Sequence, residues 1–177
     1  LGWHLKYGEY FIKTGKILRE NIFSSEMVGY HYVNHSWATD VLMYWVFHAF
    51  NFVGLSLLSA TVVTGTFYFF SRASRLTFWG ETLLFPIICY ISYGNIGMSF
   101  RTQLLSLLFV GIVYFIISKF EETGKTSVLF FMIPLFFVWA NTHGEFIVGL
   151  GVFGIWCALH LAKLTRSFYK NKLAIHW

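Results

Sequence analysis

Charged side chains are scarce in this sequence of 177 residues. Asp, Glu, Lys and Arg together make up 12% of the chain, whereas hydrophobic residues make up 56% and aromatic residues 21%. Soluble domains carry about 25% charged residues, so this chain has too few of them to cover a water-exposed surface. The shortage excludes an ordinary soluble protein and indicates an integral membrane protein.

Proline and cysteine are also rare, and several catalytic signatures are missing. The two prolines, without any Ser/Gly/Pro-rich tract, give no sign of a linker, so the 177 residues read as one unit. Cys89 and Cys157 each stand alone in an apolar run, where cysteine behaves as a small hydrophobe, and they indicate neither a disulfide nor a metal site. The absence of GxSxG, P-loop and CxxC motifs excludes several classes of soluble enzyme.

Five charge-free intervals of 17 to 19 residues fit membrane-spanning helices. A helix needs about 20 apolar residues to cross a bilayer, with a range of about 17 to 25. The intervals are continuously apolar rather than alternating, which argues against a β-barrel. We therefore predict an all-α, polytopic transmembrane bundle in residues 52–177, with about five spans at 52–70, 82–100, 102–118, 126–142 and 146–162.

Basic residues follow alternate spans, and this pattern predicts the orientation of the chain. The positive-inside rule places such turns in the cytoplasm, and here they contain Arg72, Arg75, Lys119, Lys125, Lys163, Arg166, Lys170 and Lys172. The net charge of +5 has the same explanation, so it does not indicate nucleic-acid binding. The N-terminal segment and the turns at 95–101 and 141–145 are then non-cytoplasmic.

Residues 1–51 are predicted to be a non-cytoplasmic loop with interfacial helices. Residues 3–14 have the pattern of a short amphipathic helix, which Gly15 would end. Ser36 is placed to cap a second helix. A polar stripe on that helix consists of Asp40, Tyr44, His48 and Asn51. We expect the second helix to be interfacial or to line a cavity.

Polar clusters fall in the turns that are predicted to be non-cytoplasmic. Arg101 and Gln103 lie at the outer mouth of the third span, where a guanidinium can either anchor the chain at the interface or bind phosphate bidentately. Asn141, His143 and Glu145 share one tight turn. That turn is either an ordinary polar loop or a ligand-binding cluster, because ionisable groups at membrane depth tend to be functional.

Histidines are frequent in the N-terminal region, and each can be a structural residue or a pocket residue. They are His4, His31, His35 and His48. His31 and His35 have the spacing of two metal ligands on a helix, but Tyr32 stands where a zinc hydrolase has glutamate, so the HExxH motif is absent. We predict no metal site and no cofactor, and a divalent metal has little support. Asp40 is a candidate acid or structural partner.

Short polar and aromatic motifs follow one another in order along nearly the whole chain. They are Trp3-His4-Leu5, Gly8, Gly15, Phe23-Ser24, Asn34-His35 with Trp37, Gly54-Leu55, Arg101-x-Gln103 and Trp139-Ala140-Asn141-x-His143-Gly144. This order resembles bacterial and archaeal membrane proteins related to the GT-C superfamily of glycosyltransferases, including protein mannosyltransferase-like enzymes. The resemblance implies the N-terminal half of an enzyme of a prokaryotic plasma membrane. It would transfer a sugar from a polyprenyl-phosphate donor to an acceptor hydroxyl, with inversion, on the non-cytoplasmic face.

The resemblance also implies roles for individual residues. The first loop would form the active site with the outer ends of later spans, where a carboxylate of the loop would act as general base and positive side chains would stabilise the departing phosphate. The substrate- and phosphate-binding residues would be Arg101, Gln103, His4, His35, Asn141 and His143. The family's acid usually precedes the Trp-His pair, so we expect the catalytic acid and one more span upstream of Leu1. Two positions depart from the family's pattern. Ser36, between His35 and Trp37, stands where relatives often carry glutamate, and Thr102, in the middle of the Arg-x-Gln motif, stands where proline is common.

Two other functions stay open at this point. A transporter or lipid scramblase would bind an anionic membrane lipid without chemistry, but it would also be expected to show inverted repeats or broken helices, and no repeat is clear in the sequence. A membrane acyltransferase would need a catalytic histidine buried within a span. His160, near the cytoplasmic end of the fifth span, is the only histidine inside a predicted span.

Overall fold

The structure, a computed structural model, describes residues 1–27, 29–98 and 100–174, and the side-chain environments of residues 1–27, 29–90 and 100–168. The helices are α1 (Gly2–Thr14), α2 (Trp37–Ser74), α3 (Phe78–Met98), α4 (Thr102–Thr123), α5 (Met132–Thr142) and α6 (Phe146–Ala174), with a 3₁₀ segment at Thr126–Phe131. The described residues form no β-strand beyond one isolated bridge between Glu20 and His31. The all-α prediction is confirmed.

Three helices in the described part of the chain are long and apolar enough to cross a membrane. They are Trp37–Ser74, Thr102–Thr123 and Phe146–Phe168, and they contain the first, third and fifth predicted spans. Two further apolar stretches are shorter. They are Phe78–Tyr90, which is the part of α3 whose side chains are described, and Thr126–Thr142, which combines the 3₁₀ segment with α5. The predicted count of about five spans is therefore not reached by length and hydropathy alone. Ser99, in the predicted turn at 95–101, lies outside the described residues, as do the side chains of Lys170 and Lys172.

The N-terminal helix and its stop are as predicted. Gly15 adopts the left-handed conformation with φ +67°, and its N–H donates to the carbonyl of Phe11, a helix ending that glycine makes without steric cost. α1 packs against the beginning of α2. A Cβ atom on Gly8 would lie 2.2 Å from the carbonyl oxygen of Asp40 and 2.7 Å from Cβ of Tyr44. Glycine is therefore required at the crossing.

α2 has a kink at Asn51, where the predicted interfacial helix meets the first predicted span. The residue has φ +54° and ψ −146°, which interrupts an otherwise helical backbone.

Ser36 occupies the N-cap position of α2, but its side chain makes no capping hydrogen bond. Its hydroxyl donates to the side chain of Asn34 instead. The predicted N-cap position of Ser36 is therefore confirmed, but the side-chain hydrogen bond of such a cap is not formed.

The first of two compact units, residues 1–146, is organised around α4. α4 packs along α2 and also contacts the 3₁₀ segment and α5. Its buried face includes Leu105, Phe109, Val113 and Ile117, one residue per helical turn. Residues 147–177 form the second unit, of which the structure describes the backbone of α6 as far as Ala174.

The fourth predicted span is divided between the 3₁₀ segment and α5. Pro134 is the third residue of α5 and has no N–H to donate to the carbonyl of Phe130, four residues earlier. An α-helix therefore does not extend backward through this point. The preceding residues form the tighter 3₁₀ turn instead.

Candidate functional site

A small polar cavity lies where α1 meets the beginning of α4. It has a volume of about 260 Å³ and is lined by Leu1, His4, Phe100, Arg101, Thr102 and Gln103. The side chains of Phe100 and Thr102 are buried, whereas those of Arg101 and Gln103 are exposed. The backbone is therefore anchored while two polar side chains stay accessible. The structure thus brings together His4, Arg101 and Gln103, three of the residues singled out from the sequence.

Arg101 gives this cavity an uncompensated positive charge. Its guanidinium forms no hydrogen bond or ion pair with any residue in the described part of the chain, although its backbone carbonyl accepts from the N–H of Leu104. It occupies the N-cap position of α4 with an extended backbone, φ −117° and ψ 142°. The N–H groups in the first turn of a helix have no intrahelical acceptors, and the helix dipole adds positive potential at the same place. This arrangement favours an anionic ligand.

His4 is held in the cavity by a buried carboxyl group. Its Nδ1 lies 2.6 Å from Oδ1 of Asp40, whose side chain is 0% exposed, compared with 33% for His4. A carboxylate can only accept hydrogen bonds, so Nδ1 of His4 carries the hydrogen that points to Asp40. Nε2 is then the ring nitrogen with a free lone pair, and no described residue is hydrogen-bonded to it.

Asn34 satisfies the second oxygen of Asp40. Its Nδ2 donates to Oδ2 of Asp40 over 2.6 Å. Its Oδ1 accepts from both the backbone N–H and the hydroxyl of Ser36, each at 3.1 Å. Ser36 therefore fixes which end of the amide faces the carboxylate. With both oxygens paired inside the protein, Asp40 is placed as the structural partner of His4 and not as a group that reaches a ligand.

The charge of Asp40 also affects two nearby tyrosines. Burial, and then the charge of Asp40, raise the pKa of Tyr7. Burial raises the pKa of Tyr32, with smaller contributions from Tyr7 and Asp40. Both tyrosines belong to an aromatic cluster with Trp3 and Phe23, in which neighbouring ring centroids are 5.6 to 6.4 Å apart. This cluster packs the loop that follows α1 back onto the helix.

His143 belongs to a separate network one turn further along α4. Ser106 accepts a hydrogen bond of 3.1 Å from the indole of Trp139, and its oxygen lies 3.0 Å from Nδ1 of His143. A carboxylate oxygen of Glu145 lies 3.3 Å from the same nitrogen. Nδ1 therefore has one neighbour that can donate and one that only accepts. This network attaches the end of α5 to α4, and His143 is not among the residues lining the 260 Å³ cavity.

Asn141 and His35 also lie outside the cavity lining. The side-chain oxygen of Asn141 accepts from the indole of Trp37 at 3.0 Å, and its nitrogen donates to the carbonyl of Phe137 at 2.8 Å. The amide oxygen therefore joins α5 to α2, and the nitrogen is occupied within α5. His35 is exposed and lies beside Gly144.

Two residues important to the site are not identified by sequence reasoning. Asn34 enters only as part of a motif, and Ser106 receives no role. The one signal for Ser106 is that it is a polar residue in an apolar run, three positions after Gln103. Among the described residues, no group of three or more His, Cys, Asp or Glu side chains is placed to hold a metal ion.

No protein-family model, curated protein or solved structure matches this chain. The cavity and the side chains that support it are therefore the basis for assigning a function.

Proposed function

We propose that this protein is a membrane glycosyltransferase that moves a sugar from a polyprenyl-phosphate donor to an acceptor hydroxyl, with inversion. The proposal is carried by the cavity that Arg101, Gln103 and His4 share. It combines a cation without a protein partner and an oriented imidazole, in a chain with three helices able to cross a membrane. The order of motifs that resembles the GT-C superfamily supports the same function.

Arg101 is the residue that would bind the phosphate of the donor. A guanidinium offers two parallel N–H groups that match two phosphate oxygens. The amide of Gln103 and the first turn of α4 supply further donors. When the bond between sugar and phosphate breaks, negative charge grows on the leaving phosphate, and donors that are already in place stabilise it.

The size of the cavity fits the head group of such a donor. Pockets that enclose drug-sized ligands have volumes of about 300–1,000 Å³, and this one has about 260 Å³. That space suits one phosphate with one sugar and is too small for a polyprenyl chain. The chain would remain in the surrounding lipid.

A five-span topology with the cavity on the non-cytoplasmic side is part of the proposal. The six residues of the 3₁₀ segment and the eleven of α5 together rise about 28 Å, close to the ~30 Å hydrocarbon core of a bilayer. α3 has 21 residues, which is also enough. Arg72 and Arg75 lie at the end of α2 that is remote from the cavity, which supports a cytoplasmic position for that end in a prokaryotic plasma membrane.

A transfer assay tests the proposal. The full-length protein, reconstituted in vesicles, would receive polyprenyl-phosphate donors with labelled sugars and an extract of its own cells as the source of acceptors. We expect Arg101→Ala to lower transfer by at least about tenfold, because a hydrogen bond to a charged group contributes about 1.5–3 kcal/mol. Arg72→Ala, at the other end of α2, should retain activity. Undiminished transfer by Arg101→Ala would rule out the phosphate role, and no transfer by the wild type would rule out the enzyme.

Lipid binding without chemistry is the second candidate, and one observation favours it. No carboxylate lines the cavity among the described residues, whereas the resemblance implies a carboxylate base. A lipid carrier or scramblase would bind polyprenyl phosphate and lose affinity in Arg101→Ala. It would move labelled lipid between leaflets and transfer no sugar.

A further inference from the structure

We infer that His4 is the general base of the sugar transfer and that Asp40 is its positioning residue. This inference rests on the proposed function and assigns the proton-accepting role to a residue other than a carboxylate. His4 lines the cavity together with Arg101, and in the described lining it is the one side chain with a ring nitrogen that can accept a proton.

The orientation of the imidazole is set by a chain of hydrogen bonds. Ser36 fixes the amide of Asn34, Asn34 pairs with one oxygen of Asp40, and the other oxygen of Asp40 receives Nδ1–H of His4. Each buried polar side-chain atom in this series of hydrogen bonds has a partner. The free lone pair of His4 is therefore on Nε2, the nitrogen that is not used by the protein.

The reaction balances with this assignment. The oxygen of the acceptor hydroxyl forms a bond with the anomeric carbon of the sugar, while the bond from that carbon to the phosphate oxygen breaks. The electron pair of the broken bond leaves with polyprenyl phosphate. The hydroxyl proton moves to Nε2 of His4, which becomes an imidazolium and later releases the proton to solvent.

The electrostatics of the site support this step. The positive charge that develops on His4 lies next to Asp40, whose carboxylate is 2.6 Å away and fully buried, where ionic interactions are stronger than in water. Arg101, in the same cavity, would oppose that charge in the empty site. The phosphate of a bound donor offsets the charge of Arg101, so the base is most effective when the donor is present. Burial, and then the charge of the same carboxylate, raise the pKa of Tyr7, so this neighbour stays neutral.

His4→Gln is the variant that tests the inference. The glutamine amide can still donate to Asp40, but it cannot accept a proton near neutral pH. We expect kcat to fall by about 10²–10⁴-fold, the usual contribution of general acid–base catalysis, while the donor KM stays within about threefold. In His4→Ala, added imidazole should restore part of the lost kcat. His31→Gln changes an exposed histidine outside the cavity and should behave as the wild type.

Asp40→Asn tests the positioning role. Loss of the charge should lower kcat with little change in donor KM, and added imidazole should not restore activity while His4 is still in place. Retention of folding is checked by near-ultraviolet circular dichroism. Asn34→Ala provides a second variant if Asp40→Asn does not fold, and the same split between kcat and KM is expected.

The possible outcomes separate the inference from the function on which it rests. Full kcat in His4→Gln, in a preparation whose wild type transfers sugar, would overturn the role of His4 and leave the glycosyltransferase proposal intact. A rise in donor KM with unchanged kcat would make His4 a binding residue, which also overturns the inference. A wild type that binds polyprenyl phosphate without transferring sugar would overturn both.

Discussion

The crossing of α1 and α2 at Gly8 positions His4 against Asp40, and Gly8→Ala is the perturbation that tests it. The added methyl group would lie 2.2 Å from the carbonyl oxygen of Asp40 and 2.7 Å from Cβ of Tyr44, whereas carbon atoms in contact prefer about 3.5–4.0 Å. One of these neighbours is backbone and the other is the first atom of a side chain, so a change of rotamer relieves neither contact. α1 must therefore move away by roughly 1 Å.

The magnitude follows from two opposing terms. Overpacking of this kind costs about 1–3 kcal/mol, and alanine recovers up to about 1 kcal/mol through its higher helix propensity. The net loss of about 1–2 kcal/mol should lower Tm by about 2–4 °C per kcal/mol for a chain of this length. His4 lies one turn before Gly8, so the displacement should also lengthen its hydrogen bond to Asp40 and reduce sugar transfer.

Thermal unfolding in detergent, followed by tryptophan fluorescence, measures the effect. Gly2→Ala is the matched control, because it lies in the same helix and a Cβ there meets nothing within 4 Å. Its Tm should not fall. If Gly8→Ala proves as stable as the wild type, the close approach of the two helices is not present in the molecule and the placement of His4 loses its basis.

Three further predictions concern the networks around the site. Asn34→Ala leaves one oxygen of Asp40 buried without a partner and should destabilise the fold by about 1–3 kcal/mol, and an unchanged Tm would contradict the pairing. Ser106→Ala removes the shared partner of an indole and an imidazole and should cost a similar ~1–3 kcal/mol, whereas no loss in a denaturation experiment would mean that the network is not formed. Hydrogen bonds from Lys13 and, to a smaller extent, from Lys6 lower the pKa of Glu9 from 4.5 to about 2. The pKa of Glu9 is lower in the folded protein than in the unfolded chain. The stabilisation of the fold by ionised Glu9 is therefore present above about pH 4.5 and is lost as the pH falls through about 2. The ¹³C shift of its carboxyl carbon in micelles should titrate near pH 2, and a midpoint near pH 4 would contradict the ion pairs.

Elements that depend on local patterns are the ones that the sequence predicts well. The amphipathic repeat of residues 3–14 and the glycine that follows are sufficient for α1 and its left-handed C-cap. Long charge-free runs are sufficient for the three helices able to cross a membrane. The change from 3₁₀ to α-helix before Pro134 depends on one missing N–H, which hydropathy does not register.

The pairings at the candidate site depend on the tertiary fold instead. His4 and Asp40 are 36 positions apart, and Ser106 and His143 are 37 apart. Sequence reasoning places such residues near the same end of the helices through alternation of charge, but it does not determine which side chains share a hydrogen bond. It therefore groups Asn141 and His143 with Arg101 as ligand-binding residues, whereas hydrogen bonds in the structure join both of them to neighbouring helices.

The phosphate site is tested by the affinity of the purified full-length protein for a polyprenyl monophosphate, measured for the wild type, Arg101→Ala and Arg72→Ala. We expect Arg101→Ala to bind at least about tenfold more weakly, because the guanidinium contributes about 1.5–3 kcal/mol to binding the phosphate, and Arg72→Ala to bind as the wild type does. Equal affinity of the wild type and Arg101→Ala would contradict the assignment of the cavity between α1 and α4 as a phosphate site.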